Sequence, residues 1–109
     1  MSEEIYVCQT EDIDEEDVRR FDHQDQTYCI YHTPDGFFAT DGFCTHEDQH
    51  LEDGFVIDNV IECPLHQGRF DVRSGKALSA PVCVDLKTYP LEIRDGGIYL
   101  FLDNETRQS

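Results

Sequence analysis

Apolar residues in this chain come in short runs, and where polarity alternates it does so at period two rather than at the helical period. The clearest case is 98–102, in which Ile98, Leu100 and Leu102 fall on one face and Tyr99 and Phe101 on the other. A half-buried antiparallel strand shows that pattern. From Val18 onward the runs are rich in β-branched and aromatic residues, with turn signals at Pro34-Asp35-Gly36, Asp58-Asn59, Ser74-Gly75 and Asp95-Gly96-Gly97. Strands are predicted at 5–7, 18–21, 28–32, 37–40, 54–57, 60–62, 69–72, 91–94 and 98–102. No helix of three turns and no internal repeat is visible.

Many short strands joined by turns predict an all-β fold, a small antiparallel barrel or sandwich. At 109 residues the chain is expected to form a single domain, 1–109. The segment 41–78 interrupts the strand scheme with two loops and is expected to form a separate subdomain carrying the chemistry.

Charge narrows the partners. The formal charge is −16, from 24 acidic and 8 basic side chains, so nucleic acid and anionic lipid surfaces are repelled. Such acidity can steer a small protein toward a basic docking face, and solubility alone would also explain it. Six of the seven residues 11–17 are acidic, which predicts a solvated loop or a short helical turn. No apolar stretch approaches the ~20 residues of a membrane-spanning helix, and Met1-Ser2-Glu3-Glu4 is acidic where a secretory signal would be basic. The expected location is cytoplasmic, with no membrane partner. Five cysteines (8, 29, 44, 63 and 83), an odd number at uneven spacings, argue against a disulfide framework and for a reducing compartment.

Two of those cysteines pair with histidines. Cys44-Thr45-His46 is followed, after sixteen residues, by Cys63-Pro64-Leu65-His66. Two thiolates and two imidazoles suit zinc or iron–sulfur chemistry, whereas calcium wants oxygen ligands. Paired ligands in structural zinc sites usually have two or more residues between them, and here one residue separates Cys44 from His46.

The chain resembles the Rieske ferredoxins, the small electron-transfer components of bacterial aromatic-ring dioxygenases. The resemblance is carried by Cys44-Thr45-His46, Leu51, Gly54, the run Cys63-Pro64-Leu65-His66-Gln67-Gly68-Arg69-Phe70-Asp71-Val72, Ser74-Gly75-Lys76-Ala77-Leu78 and Pro81. It implies one [2Fe–2S] cluster, with Cys44 and Cys63 on one iron and His46 and His66 on the other. It implies an inserted cluster-binding subdomain on the β base and electron transfer from a flavin-containing NAD(P)H-dependent ferredoxin reductase to a terminal Rieske oxygenase. High-potential relatives carry an extra disulfide between the cluster loops and nearby hydroxyl donors. Gln49, Leu65, Gly68 and Phe70 occupy the corresponding positions here, which implies a potential at the lower end of the Rieske range, about −150 mV.

Other residues have plainer expected roles. Gly54 and Gly68 are expected to serve close approach and positive φ, Pro64 to stiffen the second loop, and Pro81 to belong to a third loop shielding the cluster. His50, His23 and His32 are expected to be bystanders, and Cys8, Cys29 and Cys83 small buried apolar residues. Nothing forms a nucleophile–base pair or an open metal position, so no catalytic residue is expected and the chain is not expected to be an enzyme. Two other readings use the same residues: the small Rieske-like subunit of a nitrite reductase, and a zinc-stabilised binding module.

Overall fold

The computed structural model describes residues 2–44, 49–64, 68–79 and 84–103, and among these it contains three antiparallel sheets and no α-helix. The first sheet joins β1 (Ser2–Gln9), β10 (Leu91–Arg94) and β11 (Gly97–Asp103) in the order β1-β11-β10. The second joins β2 (Asp17–His23), β3 (Gln26–Thr33), β4 (Gly36–Asp41) and β9 (Thr88–Tyr89) in the order β2-β3-β4-β9. The third joins β5 (Phe55–Ile57), β6 (Val60–Glu62), β7 (Arg69–Asp71) and β8 (Ala77–Ser79), in chain order.

The second sheet is the middle layer. Tyr28 and Ile30 on β3 project into a core shared with Cys8, Ile98, Leu100 and Leu102, which joins this sheet to the first. Cys29 and Tyr31, on the opposite face of β3, enter a second core with Leu51, Val56, Ile61 and Phe70 under the third sheet. Cross-strand partners keep to their faces: Phe38 opposite Tyr31 joins the core of the third sheet, and Ala39 opposite Ile30 joins the other. Because β3 is covered on both sides, its apolar run does not alternate, as in any strand buried on both faces. On β11 the predicted alternation is observed, with Ile98, Leu100 and Leu102 buried and Tyr99 and Phe101 only half-buried.

Local chemistry explains the connections. The β2–β3 turn is formed by Gln24 and Asp25, both at positive φ (50° and 66°), which suits the right-handed twist of a tight hairpin. Pro90, which has no N–H to donate to a ladder, lies where the chain leaves β9 in the second sheet for β10 in the first. Its carbonyl accepts from the Phe101 amide at 3.0 Å. The acidic run begins as a 3₁₀ turn (Thr10–Asp12), in which the Asp12 carboxylate accepts from the Gln9 amide at 3.0 Å. Ile13, buried among the acids, anchors it to the core.

A buried polar chain crosses the face of the second sheet that looks toward the third. Thr40 donates its hydroxyl to the Asp41 carbonyl (2.7 Å), so the Tyr31 hydroxyl, 2.8 Å from Thr40 Oγ1, is the donor to Thr40. Burial pushes the Cys29 thiol up to about 12. A raised thiol pKa favours the folded state fully below the unfolded value of about 8.5, and that contribution is lost as pH rises toward the folded value. The protonated, buried thiol is a poor nucleophile. At pH 8, Cys29 is therefore expected to resist iodoacetamide in the folded protein and to be alkylated in denaturing urea; peptide mass spectrometry reads the difference.

Candidate metal centre

Cys44 follows β4 after two residues, and Cys63 directly follows β6. Each opens a loop in the same way. The Cys44 amide donates to the Gln49 carbonyl (3.0 Å) and the Cys63 amide to the Gly68 carbonyl (2.8 Å), so each cysteine closes a loop onto the residue five positions on. Both side chains are buried, at 6% and 0% exposure, in the core that also holds Leu51, Ile61 and Phe70. The first loop is closed further by the Phe43–His50 bridge and by the Leu51 amide donating to the Gly42 carbonyl at 2.9 Å. His46 and His66 lie outside the described residues, as do Leu65, Pro81 and Cys83.

Two glycines allow the chain to press against the centre. A Cβ on Gly54 would stand 2.1 Å from the Glu62 carbonyl oxygen, next to Cys63. Its φ is −90°, so close approach alone requires the glycine, and of the two expected reasons the positive φ does not apply. Gly75 needs both, with φ +80° and a Cβ position 2.1 Å from the Leu86 carbonyl oxygen. The Leu86 amide donates to the Gly75 carbonyl at 2.7 Å, which holds buried Leu86 in the core of the two cysteines.

The remaining histidines have neighbours of their own. His50 stacks at a tilt on Phe43, with ring centroids 4.4 Å apart. His32 shares a hydrogen bond with the Ile13 carbonyl (2.8 Å) and stacks on Phe37, and His23 stacks on Phe21. Cys8 and Cys29 are buried, and no disulfide joins the described cysteines.

Sequence reasoning missed the residues that tie the third sheet to the second. Arg20 on β2 donates to the Glu52 carboxylate at 3.2 Å, in the 3₁₀ turn (Leu51–Asp53) that follows the first loop. At the other end, Asp35 in the β3–β4 turn accepts from Arg73 (3.1 Å) and from Asn59 (3.0 Å). These pairs are exposed and individually weak. They span 32, 38 and 24 residues, and no local pattern marks such long-range partners.

The donor chemistry fits an iron–sulfur group. Among the described residues no three His, Cys, Asp or Glu side chains form a metal site; of the four expected ligands, Cys44 and Cys63 are among the described residues. Two thiols in one water-poor core, each at the mouth of a hydrogen-bonded loop, suit a soft or borderline metal.

Comparison with known proteins supplies the family. Residues 3–90 match the Rieske [2Fe-2S] domain. The ferredoxin component of the 2,4-dinitrotoluene dioxygenase system of Burkholderia sp. (strain RASC) is 46% identical over 84 residues, covering 77% of this chain and 81% of that protein. The ferredoxin component of the naphthalene 1,2-dioxygenase/salicylate 5-hydroxylase systems of Ralstonia sp. is 42% identical over 93 residues, covering 85% and 89%. Among solved structures, the Sphingomonas yanoikuyae B1 ferredoxin superposes with a TM-score of 0.87 at 29% identity, covering 93% of this chain and 100% of that one. A chain in the complex of reduced oxygenase and oxidized ferredoxin of carbazole 1,9a-dioxygenase does so with a TM-score of 0.86 at 33% identity, covering 89% and 91%. The expected all-β Rieske architecture is therefore observed, and the relatives are electron carriers rather than catalysts. The chain belongs to the Rieske [2Fe-2S] domain family, as a ferredoxin that carries one [2Fe–2S] cluster.

Proposed function

We propose that this chain takes single electrons from a flavin-containing, NAD(P)H-dependent ferredoxin reductase and delivers them to the terminal Rieske oxygenase of an aromatic-ring-hydroxylating dioxygenase, with its cluster on Cys44, His46, Cys63 and His66. The observation that carries this reading is the matched pair of loops, each opened by a buried cysteine whose amide closes it. When bound, the cluster supplies one-electron exchange at a potential set by its ligands, its hydrogen bonds and its exposure. The protein's own part is support and insulation. Leu51, Ile61 and Phe70 exclude water around the two thiols, and the two loop-closing amides fix where those thiols stand.

Phe70 offers no hydroxyl, and a chain of charge −16 disfavours an added electron. Both support a potential near the lower end of the Rieske range, about −150 mV. The reading takes 1–109 as one domain with a cluster-binding subdomain at about 41–78, working in the cytoplasm. No helix among the described residues is long and apolar enough to cross a membrane.

Protein purified anaerobically is expected to contain about two iron and two acid-labile sulfide per chain. After reduction it is expected to pass electrons to the oxygenase of a naphthalene 1,2-dioxygenase or 2,4-dinitrotoluene dioxygenase system. Stoichiometric zinc without sulfide would sink the cluster assignment, and a loaded cluster that neither oxygenase reoxidises would sink the partner assignment.

A further inference from the structure

Strand β4 ends at Asp41, three residues before Cys44, and both faces of that strand end are tied down. Alternate side chains of a strand take opposite faces, so Thr40 lies on the side of Tyr31 and the third sheet, and Asp41, like Ala39, on the side of the first. On one face Thr40 accepts from the Tyr31 hydroxyl (2.8 Å) and donates to the Asp41 carbonyl (2.7 Å). On the other, the Asp41 carboxylate accepts from the hydroxyl of Tyr89 on β9 at 2.5 Å. The main chain adds three bonds at the same place. The Asp41 amide donates to the Lys87 carbonyl (3.0 Å), the Gly42 amide donates to the Thr27 carbonyl (2.8 Å), and the Gly42 carbonyl accepts from the Leu51 amide (2.9 Å). Asp41-Gly42 is thus the root of the first metal loop, joined to β3, to the segment entering β9 and to the turn that follows the loop.

Tyr89 is itself held firmly. Its ring meets Tyr28 edge-on, with centroids 5.1 Å apart, and the Lys87 ammonium lies 5.3 Å from its centroid. Burial, and after it the Asp41 carboxylate, raises the phenol above its ordinary value, so the hydroxyl remains a donor over the working pH range. The same segment carries Leu86, buried in the core of Cys44 and Cys63 and bonded through its amide to the Gly75 carbonyl. The Tyr89–Asp41 bond therefore connects the root of the first loop with the segment that places Leu86 in the thiol core. A half-buried carboxylate deprived of its donor is costly, so the bond favours the closed arrangement.

We propose that Asp41 is a positioning residue of the metal centre: together with the Tyr89 hydroxyl it straps the root of the first metal loop to the 86–89 segment, and so sets how tightly the centre retains its cluster. This rests on the ligand set proposed above and goes beyond it, since neither residue is a ligand.

The test uses the cluster-loaded protein and an iron chelator in native buffer, with release of the cluster followed by visible absorption. Tyr89→Phe deletes the hydroxyl and keeps the ring that packs on Tyr28. Release is expected to be about tenfold faster, the effect of losing one hydrogen bond to a charged acceptor, and the visible circular dichroism of the cluster is expected to change. Asp41→Ala is expected to match it, the double variant to add nothing further, and Asp41→Asn, whose amide oxygen still accepts, to stay within about twofold of the parent. Tyr6→Phe, which removes an exposed hydroxyl bonded to Gln9 in the first sheet, is the control expected to leave the rate unchanged. Hydrogen exchange gives a second measurement that does not depend on the colour: peptides covering 41–44 are expected to exchange faster in Tyr89→Phe, and those covering 98–102 are not. A parental release rate in Tyr89→Phe, unchanged exchange at 41–44, or additive effects in the double variant would overturn the proposal. So would an equal acceleration of global unfolding, read by far-ultraviolet circular dichroism, because the bond would then stabilise the fold alone. A parent that binds no cluster would instead overturn the ligand set on which the inference rests.

Discussion

Cys63→Ser is expected to yield a protein with no visible absorption and without bound sulfide, even after anaerobic reconstitution with iron and sulfide. The Cys63 side chain is fully buried and stands at the mouth of the second loop, so no neighbouring solvent ligand replaces it. A serine hydroxyl is a hard, weakly acidic donor where a soft thiolate is needed. It also brings a polar group into a core of Ile61, Phe70 and Leu51, which adds a desolvation cost of about 1–3 kcal/mol. Because metal binding and folding are coupled, thermal stability is expected to fall together with the colour. His50→Ala is the matched control. It removes a ring stacked on Phe43 beside the first loop and is expected to leave the spectrum and the iron content unchanged. Iron and sulfide assays decide both cases, and loss of the cluster in the histidine variant would show that the proposed ligand set is misplaced.

Phe70→Ala is expected to destabilise the protein by about 3–5 kcal/mol, the usual cost of deleting a buried aromatic side chain. Phe70 has no exposed surface and lies on β7 between Ile61 on β6 and Ala77 on β8, in the core shared with Cys29 and Tyr31. Three-residue strands leave little nearby backbone able to collapse into the cavity. A domain of this size has a total stability of about 5–15 kcal/mol, so the variant stands near the unfolding threshold. Urea unfolding followed by circular dichroism reads the change, and the cluster band is expected to bleach at lower urea than in the parent. A midpoint within a few tenths of a molar of the parent would mean that the third sheet relaxes around the cavity and that Phe70 is not its keystone.

The long strands were legible because their ends carry turn chemistry and their side chains are β-branched or aromatic. The predicted strand 28–32 lies within β3, and 98–102 within β11. The short strands β8 and β9 were not predicted. Thr88–Tyr89 is too brief for any alternation, and it is a strand only because β4, nearly fifty residues earlier, offers an edge at Ala39 and Thr40. The β2–β3 turn was also missed, since Gln24 and Asp25 take left-handed conformations without a glycine to signal them. For the site, the motifs singled out Cys44 and Cys63, and the structure brings both into one buried core. The apolar floor beneath them could not be read in this way, because Leu51, Ile61, Phe70 and Leu86 converge only through sheet packing.

The double-sided burial of β3 has a consequence for how the molecule comes apart. One strand supplies Tyr28 and Ile30 to one interior and Cys29 and Tyr31 to the other, so neither interior can open without exposing part of the shared wall. A carrier assembled from two independently cored pieces could shed its metal-bearing piece as a separate unfolding step. Here the third sheet and the two-sheet base share that wall, so amide exchange on β3 is expected to report global opening. Thermal unfolding of the third sheet and of the base is therefore expected to follow a single transition, with or without the metal.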